Sequence, residues 1–145
     1  MRADFERNKH NITHAGINPL PVQRPIPIWL GGGGAGDSAN NEAVLRRIGN
    51  IADGWCPNFA ADDLGRALMD KVRGYAQDAG RDRAALGLDG RLRTAGKQPE
   101  EWMDEVKSWE EMGANYLSVE TRKGGFQGAD QHIDAIRRFK DAVGA

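Results

Sequence analysis

The chain has 145 residues, the length of one ordinary domain, and its 39% hydrophobic and 28% charged residues are compatible with a folded core. The net charge of -1 argues against a nucleic-acid-binding surface, and no apolar run approaches the ~18 residues of a membrane span. The single cysteine, Cys56, excludes an internal disulfide, and the charged N-terminus lacks a signal peptide's apolar core, so we expect a cytoplasmic protein.

Two regions are predicted along the chain. Residues 1–24 are polar and contain the proline-rich stretch INPLPVQRP, which predicts an irregular N-terminal segment. Residues 25–145 are predicted to form the folded domain. Its first element is a short strand, IPIWL (26–30), which ends in four glycines. The segment NNEAVLRRIGNI (40–51) then has apolar residues at helical spacing, with Asp37, Ser38 or Asn40 as its cap.

The remaining elements alternate between strand and helix. A very short strand is predicted at IADGWCP (51–57), and three helices and two strands follow it. They are a helix over 62–82, a strand over 86–93, a helix from Pro99 to Gly113, a strand over 115–121 and a helix over 128–143. Alternation of this kind predicts an α/β fold with a parallel sheet. Four such units are half of a (β/α)8 barrel of about 250 residues.

The glycine run GGGGAGD allows two interpretations. It is either a tight connection or a phosphate site, because glycine lets backbone N–H groups approach an anion closely. No Gly-Lys-Ser/Thr follows, so it is not a Walker A loop. Gly31, Gly33 and Gly36 match G-x-G-x-x-G, with Asp53 further on, which leaves a Rossmann-type NAD-binding module as an alternative.

Two segments together give a more specific indication. NPLPVQRPIPIWLGG, followed by RRIGNIADGWCP, closely resembles the luciferase-like monooxygenases, and the helix ending in AGRD follows in the same place. These are flavin- or deazaflavin-dependent oxidoreductases built on a (β/α)8 barrel. The resemblance starts near residue 14, runs to the C-terminus and covers only the C-terminal half of the family. The glycine loop is longer here than is usual in the family.

The resemblance implies a cofactor and the residues that hold it. The cofactor is FMN or the 8-hydroxy-5-deazaflavin coenzyme F420, and the substrate is a small molecule. By position, backbone N–H groups of Gly31, Gly32, Gly33 and Gly34 would meet the cofactor phosphate. Residues 52–56 would lie along the cofactor tail, at the C-terminal end of the next strand; they are Ala52, Asp53, Gly54, Trp55 and Cys56. No catalytic residue and no metal site is assigned.

The half-length match leads to an expectation about partners. The missing half of the family carries much of the substrate pocket, so whether this chain turns over substrate alone stays open. A half-barrel also exposes two sheet edges, and we therefore expect a homodimer or a complementing partner chain. A non-catalytic cofactor-binding or assembly protein is the alternative from another class.

For the cysteine and the histidines, a structural role is preferred to a catalytic or metal-binding one. Cys56 has no neighbouring His or basic cluster in sequence and is interpreted as a packing residue or cofactor neighbour. His10 and His14 do not form a metalloprotease motif. His132 lies on an apolar helix stripe and is interpreted as a half-buried structural residue.

Three charged residues and two tryptophans complete the candidates. Arg91 and Arg93 share one face of their strand and are expected to meet an anion if that face lines the barrel, or solvent if it does not. Glu120 ends the next strand, but no partner for general base catalysis is visible. Trp102 and Trp109 are interpreted as packing residues, with a dimer surface as the alternative.

Overall fold

The computed structural model describes residues 3–7, 10–16, 19–34 and 41–144. The elements are β1 (Ala3–Arg7), β2 (His10–Ala15), β3 (Trp29–Gly34), α1 (Glu42–Ile51), β4 (Gly54–Asn58), α2 (Asp63–Asp78), β5 (Gly87–Arg93), α3 (Pro99–Met112), β6 (Tyr116–Glu120) and α4 (Ala129–Val143). A 3-10 turn at Arg83–Ala85 precedes β5. The order of strands and helices from β3 onward is the predicted one.

The four strands β3 to β6 form one parallel sheet in the order β3-β4-β5-β6. Helices cover only one of its faces. Trp55, Leu88 and Leu92 point to that face and are fully buried in the cores that the helices form. A (β/α) half-barrel has this arrangement, in which strands that follow one another along the chain are neighbours in the sheet and helices cover one face. A Rossmann sheet reverses its strand order and has helices on both faces, so that alternative is wrong.

The main core lies between the sheet and the first three helices. Leu45 and Ile48 of α1, and Met69 and Val72 of α2, pack in it around Trp55 of β4. A smaller core joins Leu92, Trp102 and Phe139 beneath α3 and α4. The helix ends follow their sequence signals: Pro99 opens α3, and Gly113, with φ of 85°, closes it in the left-handed region.

The N-terminal segment differs from the expectation of irregular backbone. β1 and β2 pair antiparallel, with Phe5 opposite Ile12 and Arg7 opposite His10, and the register shifts between Ala3 and Phe5. The sequence here alternates weakly and carries no Gly-containing turn signal between the strands, so composition alone did not indicate a hairpin.

The strand that precedes the glycines also differs from its predicted bounds. β3 starts at Trp29 rather than residue 26, since Pro25 and Pro27 cannot donate backbone hydrogen bonds to a neighbouring strand. It continues through the glycines: Gly31 is in register with Cys56 and Gly34 with Asn58, with an irregularity between them. The four glycines are therefore sheet backbone and not free loop.

Candidate active site at the carboxyl edge of the sheet

The face of the sheet opposite the helices is open, and toward the carboxyl ends of the strands it is polar. Side chains at alternate positions along the strands point to it, from Cys56 on β4 through Asp89 and Arg91 on β5 to Ser118 on β6. The carboxyl ends of the strands meet at one edge, where β/α barrels place their active sites. This open face and its carboxyl edge form the candidate site.

Trp55 contacts the glycine strand, residues 31–34 of β3, from the helix side of the sheet. The Trp55 indole N–H donates a 2.7 Å hydrogen bond to the carbonyl oxygen of Gly32. A Cβ at Gly33 would lie 2.7 Å from Trp55 Cζ2, and Gly33 has φ of 73°. A Cβ at Gly31 would meet only the Cys56 carbonyl oxygen, at 3.9 Å. Gly33 thus has a packing reason to be glycine, whereas Gly31 leaves bare, exposed backbone on the open face.

The helix after the glycines caps its own N-terminus. The Asn41 side-chain oxygen accepts hydrogen bonds from the N–H groups of Ala43 (3.1 Å) and Val44 (3.3 Å). The first turn also contains an acid, Glu42. The expected caps at residues 37, 38 and 40 lie outside the described residues. Because these N–H groups have an acceptor, an anion at this edge would depend on the glycine backbone and on side chains.

Residues 52–54 are not where the resemblance placed them. They precede or begin β4, so the expectation that Ala52, Asp53 and Gly54 lie at its C-terminal end is wrong. Asp53 Oδ2 accepts a 2.8 Å hydrogen bond from the N–H of Ile28, which ties β3 to β4. A Cβ at Gly54 would lie 2.4 Å from the Trp29 ring. These residues fix the amino edge of the sheet, opposite the candidate site.

Trp55 and Cys56 lie further along β4, on opposite faces. Trp55 is fully buried on the helix side. Cys56 is half-buried on the open face, where burial, and next the Asp89 carboxylate, raise the pKa of its thiol above the ordinary value. Ser118 Oγ donates to Asp89, 3.0 Å from each carboxylate oxygen. The thiol is therefore a poor nucleophile, in line with its interpretation as a packing residue or cofactor neighbour.

A continuous polar row crosses three strands at the carboxyl edge. Gly34 is in register with Asn58, and the Asn58 side-chain oxygen accepts a 3.4 Å hydrogen bond from Arg91 Nη1. Within the described part of the chain no carboxylate lies within 4.0 Å of the Arg91 guanidinium. The half-buried Arg91 thus lies beside the glycine strand with the Asn58 amide as its hydrogen-bond partner and no ion pair among the described residues.

A cavity of about 440 Å³ opens beside this row. Arg91 and Arg93 line it together with Asn58, and Lys97 and Glu105 form an ion pair at its wall. Asp62, also in the lining, is occupied by capping α2, since its Oδ1 accepts from the N–H of Gly65 at 2.9 Å. Because Lys97 pairs with Glu105 and Arg93 with Glu120, Arg91 is the lining cation that has no carboxylate partner among the described residues, while the Asp62 carboxylate remains charged.

Glu120 ends β6 between two arginines. Arg122 Nε donates to Oε1 at 2.7 Å and Arg93 Nε to Oε2 at 3.2 Å. The Arg122 hydrogen bond, followed by the Arg93 hydrogen bond, lowers the pKa of the Glu120 carboxyl below its ordinary value. A carboxylate held ionised by two cations is a positioning group and not a general base.

The predicted aromatic and histidine residues have structural surroundings. Trp102 and Trp109 are 4% and 1% exposed, which confirms that they are packing residues and excludes them from a dimer surface. His132 is half-buried, and its Nδ1 lies 2.7 Å from Thr121 Oγ1. The side chains of His10 and His14 lie outside the described residues.

Sequence reasoning did not single out Asn58, Asp89 or Arg122 as parts of the site. Each is an isolated polar residue in or just after a strand. The partners of Asn58 and Asp89 come from a neighbouring strand, and the partner of Arg122 is Glu120, at the end of the same strand. Alternation in GLDGRLR was the one usable signal, because it places Asp89 on the same strand face as Arg91. In the described residues, no cluster of metal-ligand side chains is present, and no helix has the length and apolar content to cross a membrane.

The sequence matches the family model of the luciferase-like monooxygenases over residues 1–142, and the chain belongs to this family. The match extends further toward the N-terminus than the resemblance did, and it includes the β1–β2 hairpin. A search of curated proteins finds no match.

Solved structures support the half-barrel. The coenzyme F420 dependent tetrahydromethanopterin reductase from Methanopyrus kandleri superposes with a TM-score of 0.60 at 14% sequence identity. The superposition covers 94% of this chain and 58% of that one. The chain therefore has the fold of part of such a barrel and spans little more than half the length of that relative.

Proposed function

We propose that this chain holds the phosphate side of the cofactor site of a flavin- or deazaflavin-dependent oxidoreductase. The observation that carries the proposal is the row Gly34, Asn58 and Arg91 at the carboxyl edge, with exposed Gly31 backbone beside it. Glycine backbone without Cβ atoms, next to a guanidinium that has no carboxylate partner among the described residues, is suited to a phosphate. Membership of the luciferase-like family supports FMN or coenzyme F420 as the group that carries this phosphate.

The residues present fit such a group. The described glycine strand leaves space at Gly31, and Arg91 has one neutral hydrogen-bond partner and no ion pair within 4.0 Å among the described residues. FMN or coenzyme F420 supplies the hydride or electron transfer when bound. The chain's own residues contribute position and charge: Gly31–Gly34 bind the phosphate, Arg91 neutralises it, and Glu120 with Arg93 and Arg122 orders the neighbouring strand ends. Trp55 supports the backbone from the helix side.

We further propose that a second copy or a complementing chain covers the open face. Trp29 and Tyr116 pack against each other on that face, with ring centroids 5.5 Å apart, and are still 37% and 64% exposed. This aromatic pair supplies an apolar contact for a covering chain. Light scattering at micromolar concentration tests this part, and a strictly monomeric species contradicts it.

The test of cofactor binding compares ligands that differ in one phosphate. Purified chain is titrated with FMN, riboflavin, coenzyme F420 and NADH, and ligand fluorescence reports binding. We expect FMN or coenzyme F420 to bind, and riboflavin to bind at least about tenfold more weakly than FMN.

A matched pair of variants locates the phosphate. Arg91→Gln is expected to weaken FMN about tenfold and to leave riboflavin unchanged. Arg137→Gln is the control, since Arg137 pairs with Asp134 on the surface of α4. Equal affinity for FMN and riboflavin, or preference for NADH, contradicts the proposal. Cofactor binding without turnover, in the presence of every partner chain tried, would favour the non-catalytic alternative.

A further inference from the structure

A second polar cluster lies on the open face, one step nearer the middle of the sheet than Arg91. It consists of Asp89 on β5, Cys56 on β4 and Ser118 on β6. Asp89 precedes Arg91 by two residues, so the two side chains share a strand face, about 6.6 Å apart along the strand. The proposed phosphate site does not use the three side chains of this cluster.

The cluster has free hydrogen-bond acceptors and lacks strong donors. Ser118 Oγ donates to Asp89 and lies 3.0 Å from each carboxylate oxygen. An ionised carboxylate has about four acceptor positions, so one hydroxyl proton leaves most of them free, and the Cys56 thiol beside it is only a weak donor. Among the described residues, no cationic side chain lies within 4.0 Å of the Asp89 carboxylate. Asp89 is half-buried, so its free acceptor positions face the open side of the sheet.

Space for a ligand lies beside this cluster, at the glycine strand. Gly31 is in register with Cys56, and it is exposed. A Cβ at Gly31 would meet only the Cys56 carbonyl oxygen, at 3.9 Å. Because residue 31 has no side chain, the room next to Cys56 on the open face is available to ligand atoms.

The neighbouring charges determine which kind of donor fits. Asp89 and Arg91 carry opposite charges on one strand face, so a cationic ligand group gains little from the carboxylate. A neutral hydroxyl can donate to the carboxylate without giving up the strong hydration of an ammonium. Carboxylates bind the hydroxyl groups of ribose in this way in dinucleotide sites.

We propose that Asp89 and Ser118 bind the hydroxyl groups of a polyol-type ligand. The Asp89 carboxylate accepts from these hydroxyls, and Ser118 Oγ, whose proton is directed to Asp89, accepts from another. This polyol site deepens and rests on the proposed function, in which Arg91 holds a phosphate one step further along the strand. The hydroxyl groups belong either to the polyol chain of a bound flavin-type cofactor or to a hydroxylated substrate beside it.

The thiol of Cys56 reports whether the polyol site is occupied, because it lies next to Asp89 and is the only cysteine. Ribitol is the probe, and alkylation by iodoacetamide at about pH 8 is the readout. We expect ribitol to slow alkylation, with half of the effect at a concentration on the order of 10 mM. Dimethoxyethane has ether oxygens but no hydroxyl donors, and it should give no protection.

Two variants of the polyol site and one control provide the comparison, each measured against its own rate without ribitol. Asp89→Asn is expected to raise the ribitol concentration needed for protection about tenfold, and Ser118→Ala about threefold. Asp134→Asn, on the surface of α4, should leave it unchanged. If Asp89→Asn does not fold, Ser118→Ala decides the comparison. Lack of protection by ribitol, equal protection by dimethoxyethane, or unchanged protection in the folded variants overturns the proposal.

Riboflavin and lumiflavin distinguish the source of the hydroxyl groups, because lumiflavin has the ring without the polyol chain. If the cofactor supplies them, Asp89→Asn weakens riboflavin and FMN by the same factor and leaves lumiflavin unchanged. If a separate molecule supplies them, ribitol still protects Cys56 when FMN is saturating. Protection by ribitol without any binding of FMN contradicts the cofactor site alone. Weaker FMN binding in Arg91→Gln without protection by ribitol contradicts the polyol site alone.

Discussion

The indole N–H of Trp55 donates a 2.7 Å hydrogen bond to the carbonyl oxygen of Gly32, from a ring that is fully buried under the sheet. The same ring fills the space where a Gly33 side chain would lie. The glycine strand is thus held in shape by the core, before any ligand is considered. Of Gly31, Gly32 and Gly33, Gly31 is the one that is exposed and has no packing reason to be glycine.

Replacement of Gly33 by alanine should destabilise the chain. The new Cβ would lie 2.7 Å from Trp55 Cζ2, at a residue with φ of 73°. Left-handed backbone costs a non-glycine residue roughly 1–2 kcal/mol, and the clash adds to it, so we expect a loss of about 2 kcal/mol or more. Urea unfolding measures the change. Gly31→Ala is the matched control with an expected change below about 1 kcal/mol, and equal losses would contradict the argument.

Arg81 should contribute more to stability than its neighbours on the surface. Its Nη1 and Nη2 donate to the carbonyl oxygens of Gly49 and Ala52, both at 2.6 Å, at the C-terminal end of α1. Charged hydrogen bonds to helix-end carbonyls contribute about 1.5–3 kcal/mol, so Arg81→Gln is expected to cost about 2 kcal/mol. Arg81→Lys is expected to keep only part of this stabilisation, because an ammonium lacks the planar pair of N–H donors that reaches both carbonyl oxygens.

Arg83 provides the control for this prediction. It lies two residues further on and pairs with Asp70 at 3.6 Å, with both side chains more than half exposed. Exposed pairs of this kind contribute about 0–1 kcal/mol. Chemical unfolding measures the loss of unfolding free energy in both variants. A loss for Arg83→Gln as large as that for Arg81→Gln would show that the two hydrogen bonds of Arg81 add no stability beyond that of a surface ion pair.

The sequence predicts the order of the secondary-structure elements but not the end of the sheet at which a motif residue lies. The order of strands and helices was predictable because each element has its own apolar period and end signals, such as Pro99 and Gly113. ADG and AGRD belong to the segments that carry the family resemblance, but Asp53 and Arg81 lie at the amino edge of the sheet, 3.8 Å apart. Motif order alone does not reveal which end of a strand a residue occupies.

Contacts between strands that neighbour each other in the sheet but are far apart in sequence could not be predicted. The pair Asn58 and Arg91 and the group around Glu120 depend on register, which one sequence does not specify. Helical period also overestimated the core. In the sequence, Leu64, Met103, Ile133 and Ile136 lie on the apolar stripes of their helices, yet they are 59%, 44%, 44% and 48% exposed. The apolar stripes of these helices are wider than the surface that the described residues cover.

Asp89 should control the reactivity of the only cysteine. The Asp89 carboxylate raises the pKa of the Cys56 thiol, second only to burial. Asp89→Asn removes that negative charge, lowers the thiol pKa and increases the thiolate fraction. Alkylation by iodoacetamide at about pH 8 is expected to accelerate by up to about tenfold, the change that one pKa unit gives. Asp134→Asn, on the surface of α4, is the control. An unchanged rate for Asp89→Asn would show that burial alone governs the thiol.

Glu120 should make stability depend on pH in the acid range. Hydrogen bonds from Arg122 and then Arg93 hold its pKa in the folded chain below the ordinary value of 4.5, which applies when the chain is unfolded. The unfolded state therefore binds the proton first. The stabilisation from Glu120 is complete above about pH 4.5 and is lost as the pH falls through the lower, folded pKa.

Glu120→Gln cannot titrate, and its unfolding free energy should fall less than that of the wild type between about pH 6 and pH 3. Urea unfolding at a series of pH values measures the difference, with Asp134→Asn as the control for an exposed pair. The side-chain ¹³C signal of Glu120 reports its pKa directly. Arg122→Gln should raise that pKa more than Arg93→Gln does, since the Arg122 hydrogen bond is the larger cause. The reverse order would mean that Arg93 is the main partner of the carboxylate in solution.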